Sequence, residues 1–318
     1  MTEPRSFLKA RSAGVLALLG PATARAHGGH APALTLPEVL GWWTWDPLVL
    51  GTLGLSAFLY LRGLRVLWRR TGTGRGVQRW EAGAFALGWL TVALALLSPL
   101  DRLSDLLFSA HMTQHELLML VAAPLLVLGR PHLTALWALS PSRRAQVVRW
   151  MQARPVRTAW RATTGPFLVL LLHALARWVW HLPVLFQAAL ESEAVHALQH
   201  FMFFSTAALF WWALIRGRYG RVGYGVAVLF VFATAAHTSL LGALLTFARS
   251  VWYPLYEGRT EAGGLEALED QQLAGLIMWV PTGVIFILVG LALFAAWLGE
   301  AERRVAHTRV EFSEEVPP

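Results

Sequence analysis

Seven apolar stretches of near membrane-spanning length constrain this sequence more than any other feature. A bilayer-spanning helix needs about 20 mostly apolar residues. The stretches lie at positions 47–67, 81–100, 105–128, 165–186, 194–215, 223–247 and 272–298. Only 14% of the 318 residues are charged, against about 25% in soluble globular proteins. The pattern predicts an all-α fold class, a polytopic membrane helical bundle with seven transmembrane helices, and excludes a water-soluble domain.

The distribution of arginine predicts how the bundle is oriented. Three of the predicted loops and the tail after position 299 carry 19 arginines, and the loops on the opposite side carry three, namely Arg102, Arg249 and Arg259. Cytoplasmic loops of bacterial membrane proteins are enriched in Lys and Arg. The N-terminus is therefore expected outside, and the C-terminus inside, the bacterial plasma (inner) membrane. The same distribution explains the net charge of +8 without a nucleic-acid partner.

The first 26 residues are interpreted as a secretory signal peptide. A basic start with Arg5 and Lys9 precedes a short apolar region, and Ala24-Arg25-Ala26 has the small-residue pattern of a cleavage site. Cleavage would leave His27-Gly-Gly-His30 at the mature N-terminus, where the free amine and the imidazole of His27, with His30 nearby, form a candidate copper chelate. The expected domains are a periplasmic segment 27–46, a seven-helix domain 47–299 and a cytoplasmic tail 300–318.

Six histidines from four predicted helices share one depth in the membrane. Two pairs repeat the pattern H-x-x-Q-H, and residues four apart on a helix share a face. Ionisable residues inside a membrane are costly and are functional candidates by default. The six are His111, His115, His181, His196, His200 and His237. This layer favours a metal or cofactor site over a purely structural polar network.

Ligand chemistry favours copper among the metals. The chain has no cysteine, which excludes thiolate zinc sites, iron–sulfur clusters and disulfide scaffolds. Imidazole binds Zn, Cu, Fe and Ni, and thioether sulfur favours Cu(I). Met278 lies at the depth of the histidines. His115-Glu116 does not continue into H-E-x-x-H, because Met119 replaces the second histidine, so a zinc protease is not expected.

Several segments together resemble a known family of membrane proteins. They are His111–His115 running into Ala123–Pro131, Trp178–Pro183, His196–Trp212, Asp270–Trp279 and the post-signal His27–His30. The chain is similar over about residues 27–298 to the CtaG-type assembly factors of caa3-type cytochrome c oxidase. This resemblance implies a non-enzymatic role in oxidase assembly, with copper delivered to an oxidase copper centre. It carries the six histidines over as ligands, together with Asp270 and Met278.

The resemblance also implies partners, and it leaves alternatives open. The expected partners are cytochrome c oxidase subunits, a periplasmic copper chaperone and membrane lipid. A copper transporter that passes the metal inward, or a haem-binding redox protein, would use some of the same histidines. Whether the served centre is CuA or CuB stays open.

Overall fold

A computed structural model describes residues 34–216 and 224–314 of the protein, with side chains through position 302. Every regular element in these ranges is helical, and no strand occurs in them. The predicted all-helical class is therefore confirmed. The predicted signal peptide and its two following histidines, His27 and His30, lie outside the described residues.

The N-terminal half of the described chain folds into two long helices and a series of shorter ones. They are α1 (Leu36–Leu40), α2 (Pro47–Thr71), α3 (Arg79–Leu97), α4 (Pro99–Ser104), α5 (Phe108–Glu116), a π-helical segment (Leu117–Ala122), α6 (Ala123–Leu128) and α7 (Pro131–Ala138). The rest are α8 (Pro141–Gln152), α9 (Arg154–Thr163), α10 (Pro166–Trp180), α11 (Pro183–Glu191), α12 (Glu193–Arg216), α13 (Tyr224–Thr246) and α14 (Ala267–Glu314).

Six of these helices are long and apolar enough to cross a membrane. The α5–π–α6 rod counts as one of them, and α9 with α10 gives a seventh only if that pair, bent by 57°, is taken as a single span. The span predicted at 165–186 is not one continuous helix, and a seventh span is not confirmed. Pro183 starts a new helix, and an X-Pro step disfavours helical backbone in the preceding residue, so α10 ends at Trp180.

The α5–π–α6 rod lies at the centre of the bundle. Of its apolar window 61% is buried, against 17–39% for the other five candidate spans. Its π turn widens the helix between residues 117 and 122. There the Trp211 indole of α12 donates a 2.9 Å hydrogen bond to the Met119 carbonyl oxygen. Single π turns of this kind are frequent at functional sites.

Two glycines let α13 and α14 cross in backbone contact. A Cβ atom at Gly275 would lie 2.5 Å from the Thr246 amide nitrogen and 2.6 Å from the Gly242 carbonyl oxygen. No side chain fits such a gap, so glycine is required here to bring α14 against α13. That crossing fixes where α14 contacts the start of α5.

The arginine-rich ends of the helices are joined by one buried carboxylate. Glu81 of α3 is 1% exposed, and its Oε1 lies 2.7 Å from Arg130 Nε and 3.4 Å from Arg216 Nη2. Arg216 also donates to the Leu128 carbonyl oxygen at 3.0 Å. This contact ties α3, the α6–α7 junction and the end of α12 together.

Candidate metal centre

The two H-x-x-Q-H segments meet face to face. His111 and His115 lie in α5, and His196 and His200 lie near the start of α12. One ligand nitrogen from each of the four lies within 4.8 Å of the other three. The two pairs predicted from the sequence therefore form one cluster.

The rings are in close contact and differ in accessibility. Ring centroids are 4.4 Å apart for His111–His115, 4.2 Å for His196–His200, and 5.0 Å for both His111–His196 and His115–His200. His111 and His115 are 0% and 1% exposed, whereas His196 and His200 are half-buried. The α12 side of the cluster is thus its accessible side.

Most nitrogens of this cluster have no hydrogen-bond partner among the described residues. Both ring nitrogens of His111 and His115, and Nε2 of His196 and His200, are buried and unpaired. A buried polar atom without a partner is unfavourable by roughly 1–3 kcal/mol, so six in one place call for an explanation. A bound ion or ordered water supplies it.

The cluster fits a metal ion bound by imidazole. Metal–imidazole bonds of about 2.0–2.1 Å put tetrahedral ligand nitrogens about 3.3–3.4 Å apart. Nitrogens within 4.8 Å of one another reach that spacing by modest rotation of the rings. A four-nitrogen set suits Cu or Zn and gives no sulfur or carboxylate ligand.

The glutamines of the two segments have different environments. Gln114 donates from Nε2 to the Ala95 carbonyl oxygen at 2.8 Å and to Asp101 Oδ1 at 2.9 Å, which anchors α5 to α3 and α4. Gln199 is fully buried beside His111, and neither atom of its amide makes a hydrogen bond of good geometry. The equal spacing of the motifs therefore does not give the glutamines equal contacts.

His181 is oriented like a metal ligand but lies outside the four. It follows α10, and its Nδ1 contacts the Arg177 carbonyl oxygen at 2.6 Å. Because a carbonyl only accepts, Nδ1 carries the proton, which leaves Nε2 unprotonated and without a partner. Ligating histidines typically donate their other nitrogen in this way. The Phe203 ring contacts both His181 and His115, so His181 lies next to the cluster without being one of its four members.

His237 lies beside His173, and the group of four does not include it. The two ring centroids are 6.2 Å apart across α13 and α10. Nδ1 of His173 is 3.3 Å from the Thr206 hydroxyl, and both nitrogens of His237 are unpaired. The predicted six-histidine layer is thus divided into four clustered rings, His181 and His237, and His237 pairs with His173, which was not among the six.

Asp270 and Met278 contact structural groups. The Asp270 carboxylate accepts hydrogen bonds from the backbone amides of Phe108 at 2.5 Å and Ser109 at 3.2 Å. It thereby caps the start of α5 from α14. Met278 is fully buried in an apolar cluster with Met112 and Phe186. These contacts place both residues in support of α5.

Comparison with known proteins decides the family. A family model described as the cytochrome c oxidase caa3 assembly factor matches residues 58–300. The chain belongs to this family. The resemblance noted in its motifs is therefore confirmed, and the matched range contains all four clustered histidines. Membership and six apolar helices together indicate a membrane protein.

Three mycobacterial proteins are similar to this family member. Uncharacterized proteins of Mycobacterium bovis and Mycobacterium tuberculosis are each 27% identical over 86% of the chain, and one of Mycobacterium leprae is 27% identical over 82%. The chain spans about 40–42% of the length of these relatives. No solved structure gives a significant match.

A buried ion pair next to the cluster was not predicted from the sequence. Arg177 Nη2 lies 2.6 Å from Glu116 Oε1, with the two side chains 1% and 7% exposed. The Thr282 hydroxyl donates to Glu116 Oε2 at 3.0 Å, and Arg177 Nη1 is 3.7 Å from Met119 Sδ. The sequence does contain a signal for this pair. Glu116 and Arg177 are oppositely charged residues in two apolar segments, and such residues inside a membrane pair with one another.

Proposed function

We propose that this assembly factor binds copper at the four-histidine cluster and delivers it to a copper centre of cytochrome c oxidase. The supporting observation is the convergence of four imidazoles whose buried nitrogens lack partners. Copper here is cargo rather than a resident cofactor. We further propose seven membrane spans, with the cluster at the outer face and the C-terminus inside, as the arginine distribution of the sequence predicts.

Release to a partner needs an accessible side and spare ligands. His196 and His200 are half-buried, so an incoming ligand of an oxidase subunit can displace them first. His111 and His115 are held deeper in α5 and keep the ion during this exchange. His181, with its free Nε2, is a fifth ligand for the intermediate stages. A periplasmic copper chaperone would load the site from the same side.

The Glu116–Arg177 pair argues against transport of copper through the bundle. Glu116 follows His115 directly, and the Arg177 guanidinium lies beside Met119 of the π-helical segment that continues α5. A fixed arginine in a narrow path raises the barrier for cations. Copper leaving the cluster inward would have to pass this buried ion pair, whereas His196 and His200 are half-buried, so exit to the accessible side is favoured.

The ring geometry also argues against haem. A macrocycle held between any two of these histidines would need the space of the others, because all four ligand nitrogens lie within 4.8 Å of one another. The purified protein is therefore expected to show no haem absorption band.

Complementation of a strain lacking the protein tests the proposal. Wild-type protein should restore both the copper content and the activity of the oxidase, and His196→Ala/His200→Ala should restore neither, with total cell copper equal in both strains. His173→Ala/His237→Ala is the matched control, since it removes two imidazoles outside the cluster, and it should restore the oxidase. A fall in total cell copper on deletion would instead indicate transport, and normal oxidase with the cluster variant would refute delivery.

A further inference from the structure

A large cavity lies at the end of the bundle opposite the histidine cluster. Its volume is about 1130 Å³, and its walls come from α7, α8, α9 and α12. On α12 its lining residues are Trp212, Ala213 and Arg216, which lie 12–16 residues beyond His200. At 1.5 Å per residue this puts the cavity about 18–24 Å from the cluster along the helix. The two sites are therefore separate.

The polar side of this cavity is basic. Arg157 and Arg161 of α9 line it, are exposed, and share a helix face four residues apart. Neither makes an ion pair with any described residue, whereas Arg216 is already held by Glu81. No aspartate or glutamate lines the cavity. Two unneutralised guanidinium groups side by side match the geometry of a phosphate.

The cavity continues into an apolar groove. A second cavity of about 440 Å³ lies between α2, α3, α6 and α12, and it shares His132 and Trp212 with the first. Its walls include Leu53, Trp89 and Ala208, and they carry no Asp, Glu, Lys or Arg. Its shape and composition suit an acyl chain rather than a peptide, whose backbone would need hydrogen-bond partners.

Exposed aromatic residues surround the mouth of the basic cavity. Trp150 is 65% and Trp160 49% exposed, and the Trp160 ring packs edge-on against Trp212 at 5.8 Å. Tryptophan is enriched at the headgroup level of membranes. The mouth therefore has the composition of a segment that lies among lipid headgroups.

We propose that this two-part cavity binds one anionic phospholipid. The phosphate contacts Arg157 and Arg161, and an acyl chain passes over the contacting rings of His132 and Trp212, which line both cavities, into the apolar groove. Basic pockets between transmembrane helices bind anionic lipid headgroups in this manner. The bound lipid fills the cavity between α9 and α12. It thereby holds the α8–α9 segment against the rest of the bundle.

Lipid binding to the purified full-length protein in mild detergent tests this site. Native mass spectrometry would measure the apparent Kd for dioleoyl phosphatidylglycerol and dioleoyl phosphatidylcholine. Arg157→Gln/Arg161→Gln should weaken phosphatidylglycerol binding by about tenfold or more, since two charge-assisted contacts are lost. Phosphatidylcholine, whose phosphate charge is offset by its own choline, should bind wild type more weakly and lose less affinity in this variant. Arg143→Gln/Arg149→Gln, which removes the same charge from α8 outside the cavity, should bind phosphatidylglycerol like wild type.

Two outcomes would overturn the proposal. Equal weakening in both double variants would show general surface attraction without a site, and no weakening in either would show that Arg157 and Arg161 bind nothing.

Glycerol phosphate, which has the headgroup anion but no acyl chain, distinguishes the ligand class. It should fail to compete with the lipid, and effective competition would reduce the site to a simple anion pocket. Equal thermal unfolding of the variants without lipid would establish that folding is unaffected.

Discussion

The buried Glu116–Arg177 pair should dominate the local stability around the metal centre. Arg177→Met keeps the length of the side chain but leaves the Glu116 carboxylate with the Thr282 hydroxyl as its remaining partner. Removing one member of a buried pair destabilises a protein by about 3–5 kcal/mol. The exposures of 1% and 7% put this pair in that class, so we expect a loss of at least about 3 kcal/mol.

A double-mutant cycle separates the loss of the pair from the loss of packing. In Glu116→Gln/Arg177→Met neither charge remains buried, and replacement of both partners is often nearly neutral. This double variant should therefore recover to within about 1–2 kcal/mol of wild type. The free energy of unfolding would be measured in mixed micelles of mild detergent and dodecyl sulfate, followed by circular dichroism.

The cycle can refute the account in two ways. A loss below about 1 kcal/mol for Arg177→Met would show that the pair behaves as a solvated surface pair. A double variant as unstable as the sum of the single variants would show that packing, and not charge, explains the effect.

Three further substitutions, with one control, test how the centre is supported. Asp270→Asn should lower stability by about 1 kcal/mol, because the charge at the start of α5 is lost, while copper stoichiometry stays unchanged; loss of the metal would make Asp270 a ligand. Gly275→Ala should destabilise by about 1–3 kcal/mol through overpacking at the α13–α14 crossing. Gly283→Ala, with no atom within 4 Å of its added Cβ, should be neutral or slightly stabilising, and equal thermal unfolding of the two would refute the close approach. Met278→Leu should retain copper by elemental analysis, since its apolar environment is preserved, and a fall in bound copper would contradict a packing role.

The long apolar helices and the two histidine pairs could be predicted from the sequence. Apolar length alone sets the spans, and spacing by four residues places His111 with His115 and His196 with His200 on common faces. Which faces meet depends on how the helices pack, and that information is not local. The prediction was therefore sound for the pairs, while His237 was grouped with them only by depth and instead lies beside His173.

The π turn and the break in α10 explain the remaining differences. A π turn after Glu116 changes the angular position of all later residues of the rod. Met119, within this turn, contacts Arg177. The break before Pro183 turns His181 into a helix cap that is satisfied by the Arg177 carbonyl oxygen. Depth counted along ideal helices gives no information on either effect.

Copper stoichiometry of the purified protein tests the central claim most directly. Elemental analysis with X-ray absorption at the copper edge, after loading and dialysis, should find one bound copper with nitrogen ligands in wild type. His111→Ala/His115→Ala should retain none, and His173→Ala/His237→Ala should retain the full amount with an unchanged spectrum. Full copper occupancy in His111→Ala/His115→Ala, or equal loss in both double variants, would contradict the four-histidine site.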